Sequence, residues 1–386
     1  MAKDTVIITR ALEYDSRDVI VSFNKVAERM FGKDPFMGTK TGWRPRESLG
    51  LIRVKIGLDK EVKVATGHLE IRGLKGQFNL AGSIIEAYAS KDETSKVEAF
   101  LSAVEKDVKS DSIYKCKAVT SSGGFMDLSN VSGDKLVYND RIFRELNDNL
   151  WVMIEKSKDC QKAGVRLQRK VLFEGKFGTG KTESLLLTAR KGIDNGFTFY
   201  YLEPTTPNVS EAIPTVLSFA RLYSPAIVAI EDFDREQRAG NPFSVGRLMV
   251  AIDGALSKNS DIIVVMTTNY KDKIVGGLKR PGRIDKSINF NTFEPPDISG
   301  LLKLVIPNNF LDPNIDWQKI GSSASHFTPA FIKEIGTGAT LAAISRARTG
   351  DPIVTEEILS NIIDGLQEQH KACEADGQVG FSSESR

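Results

Sequence analysis

Residues 169–187 read RKVLFEGKFGTGKTESLLL, and the loop inside them, Gly175 to Thr182, fits the phosphate-wrapping pattern G-x-x-x-x-G-K-[ST]. Val171-Leu172-Phe173 is an apolar run of strand type ahead of the loop, and Glu183 to Arg190 is a run of good helix formers behind it. The chemistry needs that strand–loop–helix context. Gly175, Gly178 and Gly180 carry no Cβ, so the backbone N–H groups around Thr179 can fold about phosphate oxygens. The N-terminus of the following helix, with Glu183 in its first turn, adds the positive end of its dipole. Lys181 is placed to reach the β- and γ-phosphates, and the Thr182 hydroxyl to ligate Mg²⁺. The stretch predicts a nucleotide site on an α/β fold.

Working outward, apolar strand-type runs alternate with helical stretches from Val171 onward. FTFYYLEP (197–204), PAIVAIEDFD (225–234), DIIVVMTTN (261–269) and KSINF (286–290) read as strands, with helices over 212–223 and 243–257 between them. That alternation is the pattern of a parallel sheet covered on both faces. After FEPPD (293–297) only helices are expected, over 298–305, 329–335, 339–349 and 355–371.

Three features after the loop bear on chemistry. IVAIEDFD ends a buried apolar run in adjacent carboxylates, fifty residues beyond Lys181. Beside the phosphate loop, Glu231 would hold Mg²⁺ through its water shell and Asp232 would polarise the attacking water; otherwise such a pair caps the next turn. Asn269, at the end of VVMTTN, would orient that water or serve as a turn residue. Arg280 and Arg283 flank a Pro-Gly turn, either as a surface pair or as cations offered to a neighbouring active site.

The N-terminal third is less readable. Val19, Phe23, Val26 and Met30 recur at helical spacing within 16–31. LIRVKIGL and EVKVATGHLEIRG alternate as strands, residues 91–109 form an amphipathic helix, and SIYKCKAVT closes a small α+β domain. Lys40, Arg44, Arg46 and Arg53 around Trp43 offer a nucleic-acid surface or a solvated loop. Ser121 to Gly124, SSGG, reads as a linker. DKLVYND and a helix over 141–158, with Leu146, Leu150, Trp151 and Ile154 on one side, lead into the phosphate-loop strand.

The chain has 386 residues, a net charge of +2 and three scattered cysteines, Cys116, Cys160 and Cys373. So balanced a charge advertises no nucleic-acid or membrane partner, and unpaired cysteines argue against a disulfide framework or zinc site and fit a reducing cytoplasm. The N-terminus lacks the apolar run of a signal peptide. Nothing approaches the roughly 18 apolar residues of a membrane span.

Together these motifs resemble an AAA+ ATPase of the classical AAA clade, over about residues 127–371. GKFGTGKT is similar to Walker A, AIVAIEDFD to Walker B, IDG at 252–254 to the clade's MDG, and MTTN through KRPGRID to the second region of homology. The resemblance implies that Asn269 is sensor 1 and that Arg280 and Arg283 are arginine fingers acting on the adjacent subunit. It also implies that Gly338 and Ala339, in IGTGATLAAISRA, form the Gly-Ala sensor 2. It implies ATP with Mg²⁺ at each interface of a homo-oligomeric ring, most often a hexamer. It implies the α/β ATPase with its parallel sheet over 123–295 and a helical lid over 296–371; 1–122 reads as a separate domain for a substrate or partner, and the polar 372–386 as a disordered tail.

Two departures stand out. The clade's usual Asp-Glu is inverted here to Glu231-Asp232, which resembles the Rieske-protein translocase group, whose members carry an N-terminal membrane span. The shorter Asp232 stands about one methylene further from the water, which predicts slow hydrolysis. Threading members also carry an aromatic–hydrophobic–Gly pore loop after the second strand, where this chain has EPTTPNVSEA; Phe233 and Phe243 flank a second loop. The readings that follow are an ATP-driven remodeller or translocator of protein, a DNA- or RNA-associated motor or loader, and an ATP-switched structural assembly.

Overall fold

The computed structural model describes residues 5–38, 50–204, 206, 209–233, 250, 252–254, 260–269, 283–291, 293–347 and 351–379. Lys40, Trp43, Arg44, Arg46, Phe243 and Arg280 lie outside the described residues, as does the loop 234–242.

In the N-terminal region, β1 (Thr5–Ala11) is followed by α1 (Ser16–Phe31), whose first turn is capped by Asp15 Oδ1 accepting from Arg17 N at 2.9 Å. Val19, Phe23 and Val26 are buried as their spacing predicts, while Met30 is 46% exposed. Short β2 (Phe36–Gly38), β3 (Gly50–Lys55), β4 (Glu61–Ile71), β5 (Leu74–Ala81) and β6 (Ile84–Ser90) complete an antiparallel sheet of order β1-β6-β5-β4-β2, with β3 also on β4. α2 (Thr94–Ser110) packs beside α1, and Phe23, Phe78 and Phe100 meet edge-to-face at 5.0–5.7 Å in the core. The small α+β expectation holds for this region, with β1, β2, β5 and β6 unforeseen.

SIYKCKAVT does not close that sheet. Ser112 Oγ accepts from Tyr114 N at 3.0 Å and Lys115 N at 3.3 Å, and Cys116 has φ +56°. These local bonds turn the chain where an extended strand was expected. Only β7 (Ala118–Thr120) is extended, and it pairs parallel with β9 (Thr198–Leu202). Nor is SSGG a free linker, because it forms a turn in which Thr120 N donates to Gly124 O and Gly123 N to Thr120 O, both at 2.9 Å.

Between β7 and β9 come α3 (Asp140–Leu146), a π turn at Asn147–Trp151, α4 (Val152–Glu155), α5 (Ser157–Lys162), β8 (Arg169–Glu174) and α6 (Lys181–Asp194). α7 (Val209–Leu222), β10 (Ala226–Ile230), β11 (Ile262–Thr268) and β12 (Lys286–Asn289) follow. The second sheet has six strands in the order β12-β8-β11-β10-β9-β7. β8 pairs parallel with both β11 and β12. Every residue of β10 and β11 is buried, which is why β10 and Ile262–Met266 of β11 read as unbroken apolar runs. By compactness the chain forms two units, one of Met1–Asp127, Gly192–Val228 and Ala251–Ile262, the other of Leu128–Lys191, Ala229–Val250 and Ile263–Arg386.

The C-terminal helices are α8 (Pro295–Val305), α9 (Trp317–Ser323), α10 (Pro329–Arg346) and α11 (Glu356–Val379). The sequence reading broke 329–349 into two helices at its glycines, whereas α10 runs through. Gly336 serves close packing, since a Cβ there would lie 2.7 Å from Val305 Cγ1. α9, capped by Asp316 Oδ1 on Gln318 N and Lys319 N, was missed. The stretch 372–386 was expected to be disordered, but 372–379 continue α11, and 380–386 lie outside the described residues. No helix among the described residues is long and apolar enough to cross a membrane.

Candidate nucleotide site

β8 delivers the chain into a loop that only glycine allows. A Cβ on Gly175 would fall 2.3 Å from Phe290 O, whose own N–H donates to Glu174 O at 2.7 Å. Gly178 and Gly180 have φ of +74° and +94°, in the left-handed region. The loop is braced from within: Thr179 Oγ1 donates to Lys176 O at 2.8 Å, and Lys181 Nζ donates to Gly175 O at 2.8 Å and Lys176 O at 2.7 Å. α6 starts at Lys181, so the loop's amides and the helix N-terminus converge on one cavity of about 190 Å³.

The carboxylates enter that cavity from the end of β10. Thr182 Oγ1 donates to Glu231 Oε1 at 2.6 Å, which joins the two oxygen ligands the sequence assigned to Mg²⁺. A hydroxyl and a carboxylate this close form a hard donor set of the kind Mg²⁺ takes together with phosphate oxygens, so the residues present fit the ion. Asp232 has φ +46°, which Asp tolerates better than most residues. Its N–H donates to Thr267 Oγ1 at 3.0 Å and the next N–H, of Phe233, to Thr267 O at 3.1 Å. Asn269 Nδ2 donates to Asp232 Oδ1 at 2.7 Å. The loop, both carboxylates and Asn269 are therefore brought together as the motifs predict.

A second cavity, of about 200 Å³, shares Gly178, Thr179, Gly180 and Glu183 with the first and opens toward Tyr138, Ile142, Phe290, Phe293 and Leu301. Its apolar walls suit a base beside a polar phosphate site. Burial pushes the Tyr138 phenol up to about 12, and its hydroxyl bonds Ser184 Oγ at 3.0 Å. Ser184 Oγ in turn donates to Gly180 O at 2.8 Å, which ties the base cavity to the loop. Behind α6, the π turn carries Trp151, whose Nε1 donates to Thr188 Oγ1 at 2.9 Å.

Gly338 and Ala339 are not brought to either cavity. Ala339 is buried in the core of the C-terminal helices, and the nearest side chain to a Cβ on Gly338 would be Ile362, at 3.4 Å. The start of the same helix takes that place, where Pro329, Ala330 and Lys333 line the base cavity. Ala330 N donates to Gly178 O at 3.0 Å, and Lys333 Nζ stands 3.4 Å from Glu183 Oε1. The Gly-Ala pair misled because it looks the same in sequence as a small-residue pair needed for close approach. The better signal was Thr328-Pro329, a helix start with proline in its first turn. Arg283 is exposed and lines neither cavity. Tyr138, Thr267 and Lys333 were missed as site residues: Tyr138 and Thr267 fell inside stretches read only as connection and strand, and Lys333 inside a helix.

This contact accounts for Gly178. A Cβ there would lie 2.8 Å from Ala330 Cβ and 3.0 Å from Thr328 Oγ1, on top of the strain of positive φ. Gly178→Ala is expected to lose about 1–2 kcal/mol to backbone strain alone and to push α10 off the loop. Thermal unfolding would fall, and titration with a fluorescent ATP analogue would show weakened binding. Lys333→Ala, which removes only a half-exposed ion pair worth at most about 1 kcal/mol, would leave stability almost unchanged; equal losses in the two variants would refute the steric account.

Comparison with known proteins agrees with this geometry. Residues 171–292 match the family model "ATPase family associated with various cellular activities (AAA)". The chain is similar to the ATP-dependent zinc metalloprotease FtsH of Mesoplasma florum, 28% identical over 55% of this chain and 34% of the relative. It is also similar to FtsH 2 of a Thermoanaerobacter species, at 26% over 58% of this chain and 47% of the relative, and to FtsH 1 of the same source, at 30% over 55% and 37%. The chain thus spans between about a third and a half of the length of these relatives. Loop, paired carboxylates, Asn269 and family match converge on one assignment: the chain carries an AAA+ ATPase domain of the classical clade.

Proposed function

We propose that this domain hydrolyses ATP with Mg²⁺ within a homo-oligomeric ring, a hexamer by analogy, and uses the cycle to remodel or translocate protein. The observation that carries the ATPase reading is the cluster Thr182–Glu231 and Asn269–Asp232 facing the loop. The loop amides and Lys181 bind the phosphates, and the Tyr138 side of the second cavity receives the base. Thr182 and Glu231 would hold Mg²⁺, which would supply charge neutralisation for the phosphates. Asp232, oriented by Asn269, accepts a proton from water as the water oxygen bonds the γ-phosphorus; the bond to the β–γ bridging oxygen breaks, which leaves ADP and phosphate. Arg280 and Arg283 would serve the neighbouring subunit's nucleotide. Protein as substrate is supported by the FtsH relatives, which are named as proteases. The zinc-binding pattern H-E-x-x-H is not present in these 386 residues, so peptide cleavage is no part of the proposal.

The test is capture of a client. Asp232→Asn, purified from its native cells with ATP present, should retain a protein that Lys181→Ala does not. Nuclease-sensitive DNA or RNA retained in its place would overturn the protein-remodelling reading in favour of a nucleic-acid motor.

A further inference from the structure

The stretch that follows β9 is where the resemblance puts the aromatic pore loop of threading members. In this chain Glu203 and Thr206 are pinned there. Glu203 N donates to Ser121 Oγ at 3.3 Å, Glu203 Oε2 accepts from Ser122 N at 3.2 Å, and Ser121 Oγ lies 2.9 Å from Thr206 Oγ1. Thr206 N closes the turn onto Glu203 O at 2.9 Å. The residues that hold it, Ser121 and Ser122, belong to the SSGG turn, which is itself held by α1: Arg17 Nη1 donates to Gly123 O at 3.4 Å.

Two further connections join the same parts. β7 and β9 share a parallel ladder over Ala118–Thr120 and Phe199–Tyr201. An aromatic seam then runs from Tyr14 and Tyr114 of the N-terminal region to Tyr200 of β9, Phe219 of α7 and Tyr223 just beyond α7. Tyr114 meets Phe219 at 5.3 Å and Tyr223 at 5.6 Å, and Phe219 meets Tyr200 at 4.9 Å and Tyr223 at 4.5 Å. Its polar rim is bonded as well: Asp15 N donates to Tyr223 OH at 3.2 Å, and Tyr114 OH to Asp15 Oδ1 at 3.2 Å. Asp18 beside them is fully buried and accepts from Ser112 Oγ at 2.6 Å and Ile113 N at 3.0 Å. A seam both close-packed and hydrogen-bonded resists sliding, because packed interfaces switch between discrete states and do not deform continuously.

We propose that the N-terminal sheet, β9, Glu203 and Thr206 beyond it, and α7 form one rigid lever, so that Glu203 and Thr206 do not swing independently to grip a client. Any motion driven by ATP would be delivered through the N-terminal region as a whole. This rests on the ATPase reading only for the drive, and not for the lever itself.

A disulfide tests it. In a full-length chain with Cys116→Ser, Cys160→Ser and Cys373→Ser, the pair Ser121→Cys and Thr206→Cys replaces the 2.9 Å oxygen contact. Oxidation should close the cross-link at rates that agree within about threefold without nucleotide, with ATP and with ADP. The oxidised protein should hydrolyse ATP within about threefold of its reduced form. Failure to cross-link, a larger spread between nucleotide states, or a larger loss of turnover that reductant restores would each overturn the lever. A reduced protein with native thermal stability but no ATP turnover would instead count against the ATPase reading, while cross-linking rates still report on the lever.

Discussion

Asp232→Asn should bind ATP as the parent does and hydrolyse it at least ~10²-fold more slowly, the scale of a lost general base. The substitution leaves the local structure alone. Asn keeps the size of Asp, and its side-chain oxygen can still accept from Asn269 Nδ2, now at 2.7 Å from Oδ1. The bonds that fix the backbone here run from Asp232 N and Phe233 N to Thr267, so neither uses the carboxylate. Asn also tolerates the φ of +46° at this position. What disappears is basicity. Steady-state turnover and equilibrium binding of ATP check the two halves separately, and turnover within fivefold of the parent would remove Asp232 from the role of base. The parent itself is expected below ~1 s⁻¹, at the slow end for enzymes, because the inverted pair puts the shorter side chain on the water.

The site was legible in the sequence to the extent that its chemistry is local. Gly175 to Thr182 and Glu231-Asp232 occupy consecutive positions whose spacing is set by one loop and one strand end, and the buried β10 and Ile262–Met266 of β11 show as unbroken apolar runs. What could not be read depends on partners distant in sequence. β1 reads as an ordinary N-terminus until it finds β6, some eighty residues away, with Ile7 opposite Tyr88. Ser112 and Cys116 bend a stretch whose alternation looks like a closing strand, and β7 finds its partner in β9. The C-terminal contact to the loop is the sharpest case. Gly338-Ala339 has the right composition, but it is Ala330, at the start of the same helix, whose N–H reaches Gly178 O. SSGG has a linker's composition, and its hydrogen bonds to Glu203 make it a clamp.

Lys181→Ala should weaken nucleotide binding at least ~10²-fold and with it every ATP-dependent property. The ammonium is almost fully buried at the base of the loop, where it donates to the carbonyls of Gly175 and Lys176 at 2.8 and 2.7 Å. Phosphate groups entering the cavity would draw those donors onto their own oxygens at little cost, because the cation is already desolvated and in place. Hydrogen bonds to charged groups contribute about 1.5–3 kcal/mol each; losing two gives roughly 3–6 kcal/mol, or an affinity at least ~10²-fold weaker. Alanine keeps the start of α6 helical, so the fold should survive, with thermal unfolding without nucleotide lowered only by the loss of the two bonds that brace the loop. The decisive comparison is thermal stabilisation by ATP: Asp232→Asn should gain it in full and Lys181→Ala should gain none. Equal stabilisation of both variants would mean that the ammonium braces the loop without holding phosphate, and the nucleotide would then have to be held by the loop amides and the N-terminus of α6 alone.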